Sequence, residues 1–379
     1  VTVRPIYLDY NATTPVDPAV AAALLPFVTD HFGNPSSTHA FGTAAHAAVE
    51  RARAQVAALI GARADEIVFT GGGSEASNHA IKGAYFAAGA PPSDIHVVTT
   101  AVEHPATAKP IEWLCRLGAR ATVLPVDRFG RIDPDAVRRA VTPQTRLVSV
   151  MHSNNETGVL MPVREIAAAC RARGVLLHTD CAQSLGKVPV DVADLGVDLL
   201  TVAGHKLYAP KGVGALYVRS GVKLESLVHG AGHERGRRAG TENVAYAVAL
   251  GAAAALAATA LPGETGRLRA LRDRLHALLL AALGDRVVLN GHPELRLPNT
   301  LNVNFVGHVG AELLARVPGV AASTGSACHE GKVNLSPVLA AMGVPREVGR
   351  GAVRLSVGRF TTEEEVDHAA ELLAGAAAR

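Results

Sequence analysis

Four stretches of the 379-residue chain carry side chains whose types and order could do chemistry. The segment "HTDCAQSLGK" sets Asp180 at the end of one apolar run, and "VDLLTVAGHKLYAPKG" sets Lys206 at the end of the next. An isolated aspartate there would simply cap a helix. Together the two meet a different need: pyridoxal phosphate requires a lysine to hold its aldehyde and a carboxylate beside its ring nitrogen, because a protonated ring is the better electron sink. The third stretch, "FTGGGSEASNHAIKG", places three glycines, Gly73 among them, and Ser74 between a strand and a helix. Backbone amides and a helix N-terminus favour an anion such as a phosphate there. The fourth, "STGSACHEGK", holds Cys328 among small residues, where the thiol reads equally as nucleophile, metal ligand or buried spectator.

These side chains need a scaffold that gathers strand ends. β-Branched runs at 66–70, 95–100, 121–126, 146–150, 174–179 and 197–202 alternate with alanine-rich helical stretches. That is the pattern of a mostly parallel sheet covered by helices, an α/β fold, whose ligands collect at the C-terminal edge of the strands. Asp133 followed by Pro134 starts one helix, and "TTEEEVDHAAELLAGAAA" forms a terminal helix with an acidic first turn. The sequence "PGETG" after Leu261 breaks the helical pattern and sets a domain boundary near residue 262. Residues 16–261 are then a large cofactor-binding domain, and residues 1–15 with 262–379 a smaller α+β domain carrying the Cys328 loop.

The bulk numbers exclude some classes. Lys plus Arg number 37 against 34 Asp plus Glu, so no strong field draws the chain to nucleic acid. The longest apolar run, 245–261, is mostly alanine and interrupted by Gly251, so no membrane span is expected. Four widely spaced cysteines with no C-x-x-C pair suit a reducing cytoplasm. His233, His292 and His308 have no ligand-like partners at useful spacing, and no metal site is expected.

The ordered segments "YLDYNATTP", "FGNPSS", "TGGGSEASN", "VEHPA", "NNETG", "HTDCAQSLGK", "GHKLYAPKGVGALY", "RRAGTEN", "LPNTLNV", "GSACH" and "RLSVGRFTTEEEVD" span nearly the whole chain. They resemble the cysteine desulfurases, in the class-V branch of the fold-type I, aminotransferase-like pyridoxal phosphate enzymes. The resemblance implies that Lys206 is the Schiff-base lysine, Asp180 the partner of the ring nitrogen and His104 the imidazole stacked on the ring. It implies Gln183 near the phenolic oxygen, with Ser74, Gly73 and His205 at the phosphate. Thr241 would be lent by the partner subunit of a homodimer. Asn155 and Arg354 would hold the substrate carboxylate, the guanidinium fork giving bidentate geometry. Asn34 would lie nearby.

The same resemblance makes Cys328 the catalytic nucleophile, and its small neighbours agree, since they leave the sulfur accessible. Cys115 and Cys170 sit in apolar helical runs and are expected to be buried; Cys181 is expected to be a small buried side chain turned away from Asp180. Ala203 stands where many members have a serine at the phosphate. The implied reaction converts L-cysteine to L-alanine, with a persulfide on Cys328 that passes to a sulfur-acceptor protein the sequence does not identify. Similarity around "GSACHEGK", "GHK" and "GTEN" also reaches the selenocysteine lyases. A non-catalytic cofactor-binding interaction module would not need Lys206, His104, Arg354 and Cys328 together.

Overall fold

The computed structural model describes residues 4–324 and 335–379, and between them the backbone of 328–329 and 332–333. In chain order the strands are β1 (Ile6–Tyr7), β2 (Ile67–Thr70), β3 (His96–Thr100), β4 (Arg120–Leu124), β5 (Thr145–Ser149), β6 (Leu176–Asp180) and β7 (Leu199–Ala203). Then come β8 (Gly214–Val218), β9 (Val287–Leu289), β10 (Thr300–Phe305), β11 (Val320–Ala321), β12 (Cys328–His329), β13 (Lys332–Val333) and β14 (Ala352–Ser356).

The central sheet has the order β2-β8-β7-β6-β5-β3-β4. Only β8 runs against its neighbours, pairing antiparallel with β2 and β7. The sheet is therefore mostly parallel, as its buried β-branched runs require. The helix Gly73–Ala87 packs on one face, where Ala76, Ala80 and Ile81 meet Val68, Val97 and Leu216. On the other face, Val98, Val148, Leu177 and Leu200 join a larger cluster that takes in Ala45–Ala57 and the buried side of the long helix Val244–Leu283.

A second layer holds β14-β10-β9, all antiparallel, with the terminal helix Glu363–Ala377 against it. That helix starts on a capping box between Thr362 and Glu365 and carries three acidic residues in its first turn. Asp133 accepts from the Asp135 N–H at 2.9 Å and caps the helix Pro134–Ala140 as its sequence suggests. The N-terminal β1 pairs parallel with β11, and Leu8 packs into the second cluster beside Val320 and Leu355.

Two local expectations differ from the structure. The helix Val244–Leu283 runs straight through Pro262. Pro262 and Ala258 are both exposed, so the Ala258 carbonyl loses its amide partner on a side of the helix that water can reach. Thr265 pins this point by donating to the carbonyls of Leu261 (3.1 Å) and Lys187 (2.8 Å). The helix gives Ala257 and earlier residues to the sheet's cluster and Leu268 and later ones to the second. It is long and apolar enough to cross a membrane by composition, yet it serves both cores. The other difference is Cys115, which is exposed. The buried stripe of its helix is Thr107, Pro110, Ile111 and Leu114, and position 115 falls at the edge of that stripe, on the side that meets solvent.

Candidate active site

Strands β2, β3, β5, β6 and β7 all end at one edge of the sheet, and the chain beyond each end contributes to a single cleft of about 750 Å3. Asp180 is the last residue of β6, with Oδ1 accepting from the Ala182 N–H at 2.8 Å. Burial raises its pKa; that amide, His104 and Lys206 pull the other way. Lys206 follows β7 on a single 3-10 turn, and its Nζ donates to the carbonyls of Asn11 and, at 2.6 Å, Ala12. Burial first and Arg354 second lower this amine to about 8.

His104 ends the turn after β3 and caps the helix Pro105–Arg116, its Nδ1 accepting from the Ala106 N–H at 3.1 Å. The ring proton of the neutral imidazole is thereby assigned to Nε2. Burial lowers the His104 pKa, Asp180 opposes it and Lys206 adds to it. Its neighbour Glu103 is half-buried, accepts from Thr100 Oγ1 (2.7 Å) and the Met151 N–H (3.0 Å), and is pushed up to about 8 by desolvation. Glu103 thus ties the His104 turn to the segment after β5.

The glycine run ends β2 and starts the helix Gly73–Ala87. Gly72 has φ +146°, in the region that favours glycine, and a Cβ on Gly73 would come within 3.0 Å of the Ala203 Cβ. Ala203 thus faces the cradle directly. Ser74 sits exposed at its mouth. Glu75 turns back to accept from the Gly71 N–H (2.8 Å) and pairs with Arg238 at 2.9 Å, so its charge is neutralised away from the anion position. His205 accepts or donates with Thr13 Oγ1 at 3.2 Å, and desolvation with nearby lysines drops its pKa to about 4.

Arg354 reaches the cleft from β14 in the second layer. One guanidinium nitrogen donates to Asp9 Oδ1 (2.8 Å) and another to the Asn155 carbonyl (3.0 Å). Its Nε is buried and has no partner among the described residues. Asn155 lines the cleft alongside it. Gln183 is buried, and its Nε2 donates to the Asn11 carbonyl at 2.9 Å.

Two expected residues fall elsewhere in the single chain. Thr241 is exposed and lines a smaller neighbouring pocket, which shares Gly71, Gly212 and Val213 with the cleft. Asn34 is exposed and does not line the cleft; its Oδ1 is occupied by the Ser36 N–H at 2.9 Å, holding its own loop. Cys328 belongs to the antiparallel pair β12–β13, and its side chain lies outside the described residues. Cys181 is buried in the sheet's cluster, and desolvation lifts its thiol well above the ordinary range, which leaves it unreactive. Cys170 is buried likewise. His233, His292 and His308 each bond to backbone groups of their own loop or of the terminal helix.

Residues that local sequence did not mark are Asn11, whose carbonyl receives both Lys206 and Gln183, and Asp9, which aims Arg354. Both lie in "YLDYNATTP", and the signal was an accumulation of polar residues in a segment with no helical or strand period.

The residues present fit pyridoxal phosphate: an amine of lowered pKa and a buried carboxylate face one space, and a glycine cradle, where a Cβ on Gly73 would crowd Ala203, stands at its end. The unpartnered Arg354 Nε leaves a donor for a further anion. If that anion is a substrate carboxylate, Arg354→Ala raises KM for the substrate about 10- to 100-fold with kcat little changed, the size of a lost charged hydrogen bond. An unchanged KM in initial-rate assays removes Arg354 from the substrate.

The Aminotransferase class-V family description matches residues 6–369. The chain is 44% identical over 372 residues to "Cysteine desulfurase IscS" of Dictyoglomus turgidum, covering 98% of this chain and 94% of that one. It is 47% identical over 378 residues to a "Cysteine desulfurase" of Gluconacetobacter diazotrophicus, covering 99% and 94%. Among solved structures, a "NIFS-LIKE PROTEIN" superposes with TM-score 0.91 at 33% identity, covering 98% of each chain.

Proposed function

The chain belongs to the Aminotransferase class-V family, and from that membership together with the geometry of the cleft we propose how its residues carry out cysteine desulfuration. It is a pyridoxal phosphate-dependent cysteine desulfurase of the fold-type I, aminotransferase-like class. The observation that carries the assignment of roles is the convergence of Lys206, Asp180 and His104 from three strand ends with Arg354 from the second layer.

Lys206 would hold the cofactor aldehyde, Asp180 the ring nitrogen and Gln183 the phenolic oxygen, while Gly73, Ser74 and His205 would hold the phosphate. When bound, pyridoxal phosphate supplies a ring that takes up the charge left when the substrate loses its α-proton. Lys206 moves that proton; an amine near pKa 8 is basic enough to take it and free enough of charge to act near neutral pH. Arg354 and Asn155 orient the carboxylate. His104 carries protons near the thiols from Nε2, since Nδ1 is occupied by the helix cap. The Cys328 thiolate takes the sulfur: an S–S bond forms as the substrate C–S bond breaks, alanine leaves, and the persulfide passes to an acceptor thiol.

The active form is a homodimer in which Thr241 serves the partner's phosphate. The support is an exposed apolar face of Leu25, Val28, Phe32 and Phe41, with Phe32 72% exposed and stacked on Phe41 at 5.5 Å. Residues 16–261 act as the cofactor domain, and residues 1–15 with 262–379 as the domain bearing Cys328. The enzyme works in the cytoplasm, a reading supported by its unpaired cysteines.

Cofactor-loaded protein given L-cysteine and an excess thiol acceptor is expected to release alanine and sulfide in equal amounts. Turnover of selenocysteine alone, with cysteine untouched, would replace desulfurase by selenocysteine lyase.

A further inference from the structure

One buried cation near the cleft has no part in the chemistry above. Lys187 is 6% exposed, and its ammonium donates to the main-chain carbonyl of Gln183 (2.8 Å) and to Gln183 Oε1 (3.3 Å). On its other side Gln183 Nε2 donates to the Asn11 carbonyl, which also accepts from Lys206. In its protonated form the Lys187 amine has only donors, and a carbonyl oxygen only accepts. A glutamine amide caught between the two has one workable orientation, with oxygen toward Lys187 and nitrogen toward Asn11. The flipped amide would set an NH2 against the ammonium and an oxygen against the Asn11 oxygen.

The arrangement is anchored from behind. Thr265 on the long helix donates to the Lys187 carbonyl at 2.8 Å, and Glu264, Tyr208 and Arg359 share with Lys187 a small cavity on that side. Keeping an amine here is costly: desolvation, then Lys206 and Arg354, lower it to about 7. Methionine would fill the same space without that penalty.

We propose that Lys187 is a positioning residue for the cofactor site, holding the Gln183 amide so that the N–H not bonded to Asn11 stays available to an acceptor oxygen of bound pyridoxal phosphate. The inference rests on the reading of the cleft as a cofactor site and goes beyond it in assigning a cause to the orientation of Gln183.

The test is a pH titration of the visible absorbance of the cofactor-loaded enzyme. A donor to an ionised oxygen favours the deprotonated form, so losing it moves the transition upward. Lys187→Met is expected to raise the midpoint by about one pH unit, the size of one net hydrogen bond. In a Gln183→Ala background the same change should do almost nothing, because the residue it acts through is gone. An equal shift in both backgrounds would assign the effect to the charge of Lys187 through space and overturn the proposal, as would no shift in either. Lys187→Gln guards against a misfolded methionine variant: its amide can donate to Gln183 without charge, and it should titrate near the wild-type midpoint. A full-unit shift in Lys187→Gln would also overturn the proposal. A wild-type protein that takes up no pyridoxal phosphate would instead sink the reading of the cleft, and this inference with it.

Discussion

Lys206→Ala protein is expected to lose turnover of L-cysteine by about 10,000-fold or more while keeping its fold, because general-base loss alone reaches that size and the cofactor's covalent anchor goes with it. The structure gives the reason. Lys206 sits at a strand end on a short turn, with its amine on the carbonyls of Asn11 and Ala12, and no carboxylate pairs with it among the described residues. Burial and Arg354 lower its pKa to about 8, so at pH 7 roughly one amine in ten is already neutral. Substitution removes a half-buried amine rather than a structural ion pair, and the far-ultraviolet circular dichroism should match the wild type. The loaded variant should also lose the visible band of lysine-bound cofactor and give up pyridoxal phosphate on gel filtration. Retained colour together with wild-type turnover would move the base to another residue.

The sign of the Lys206 shift gives the apoprotein a stability signature. A lysine whose folded pKa lies below its unfolded value binds more protons when unfolded, so it contributes a stability that rises with pH between about 8 and 10.4. Lys206→Ala apoprotein should lack that rise in denaturant titrations run across this window.

Much of this arrangement was legible in the sequence, for identifiable reasons. Strands such as β6 and β7 are almost wholly buried, so their apolar runs stand out, and a charged residue at or just past the end of each marks a ligand edge. The antiparallel β8 did not stand out among the runs because it follows the lysine turn without a helical crossover. The course of the long helix through Pro262 depended on which face of the helix meets solvent, which composition does not specify. The same holds for Cys115. Asp9 and Asn11 took their roles from tertiary contacts: Asn11 meets Gln183 and Lys206 from positions 172 and 195 residues away in the chain. No local pattern encodes such a meeting, whereas the paired types of Asp180 and Lys206 pointed to a chemistry before any contact was seen.

Cys328 carries the second large effect. Cys328→Ala is expected to cut alanine release from L-cysteine by at least about 1,000-fold, since a thiolate leaving group departs poorly unless a positioned nucleophile takes the sulfur. Selenium leaves more readily, so release from selenocysteine should survive in good part. Cofactor absorbance should be unchanged, because the described residues that line the cofactor space lie beyond the strand ends, in the segment after β1 and on β14. Of the other cysteines, Cys170 and Cys181 are buried with raised thiol pKa values, and Cys115 lies on an outer helical face and does not line the cleft. None of the three stands in for Cys328.

The central claim is that sulfur leaves L-cysteine onto Cys328. The direct measurement is a single turnover of loaded wild-type enzyme with L-cysteine and no acceptor thiol, followed by alkylation, proteolysis and mass spectrometry of the peptide containing residue 328. One additional sulfur atom on Cys328, with one alanine released per active site, is the expected result. Alanine released at the same stoichiometry with Cys328 unmodified, and the extra sulfur on another cysteine or free in solution, would contradict the account.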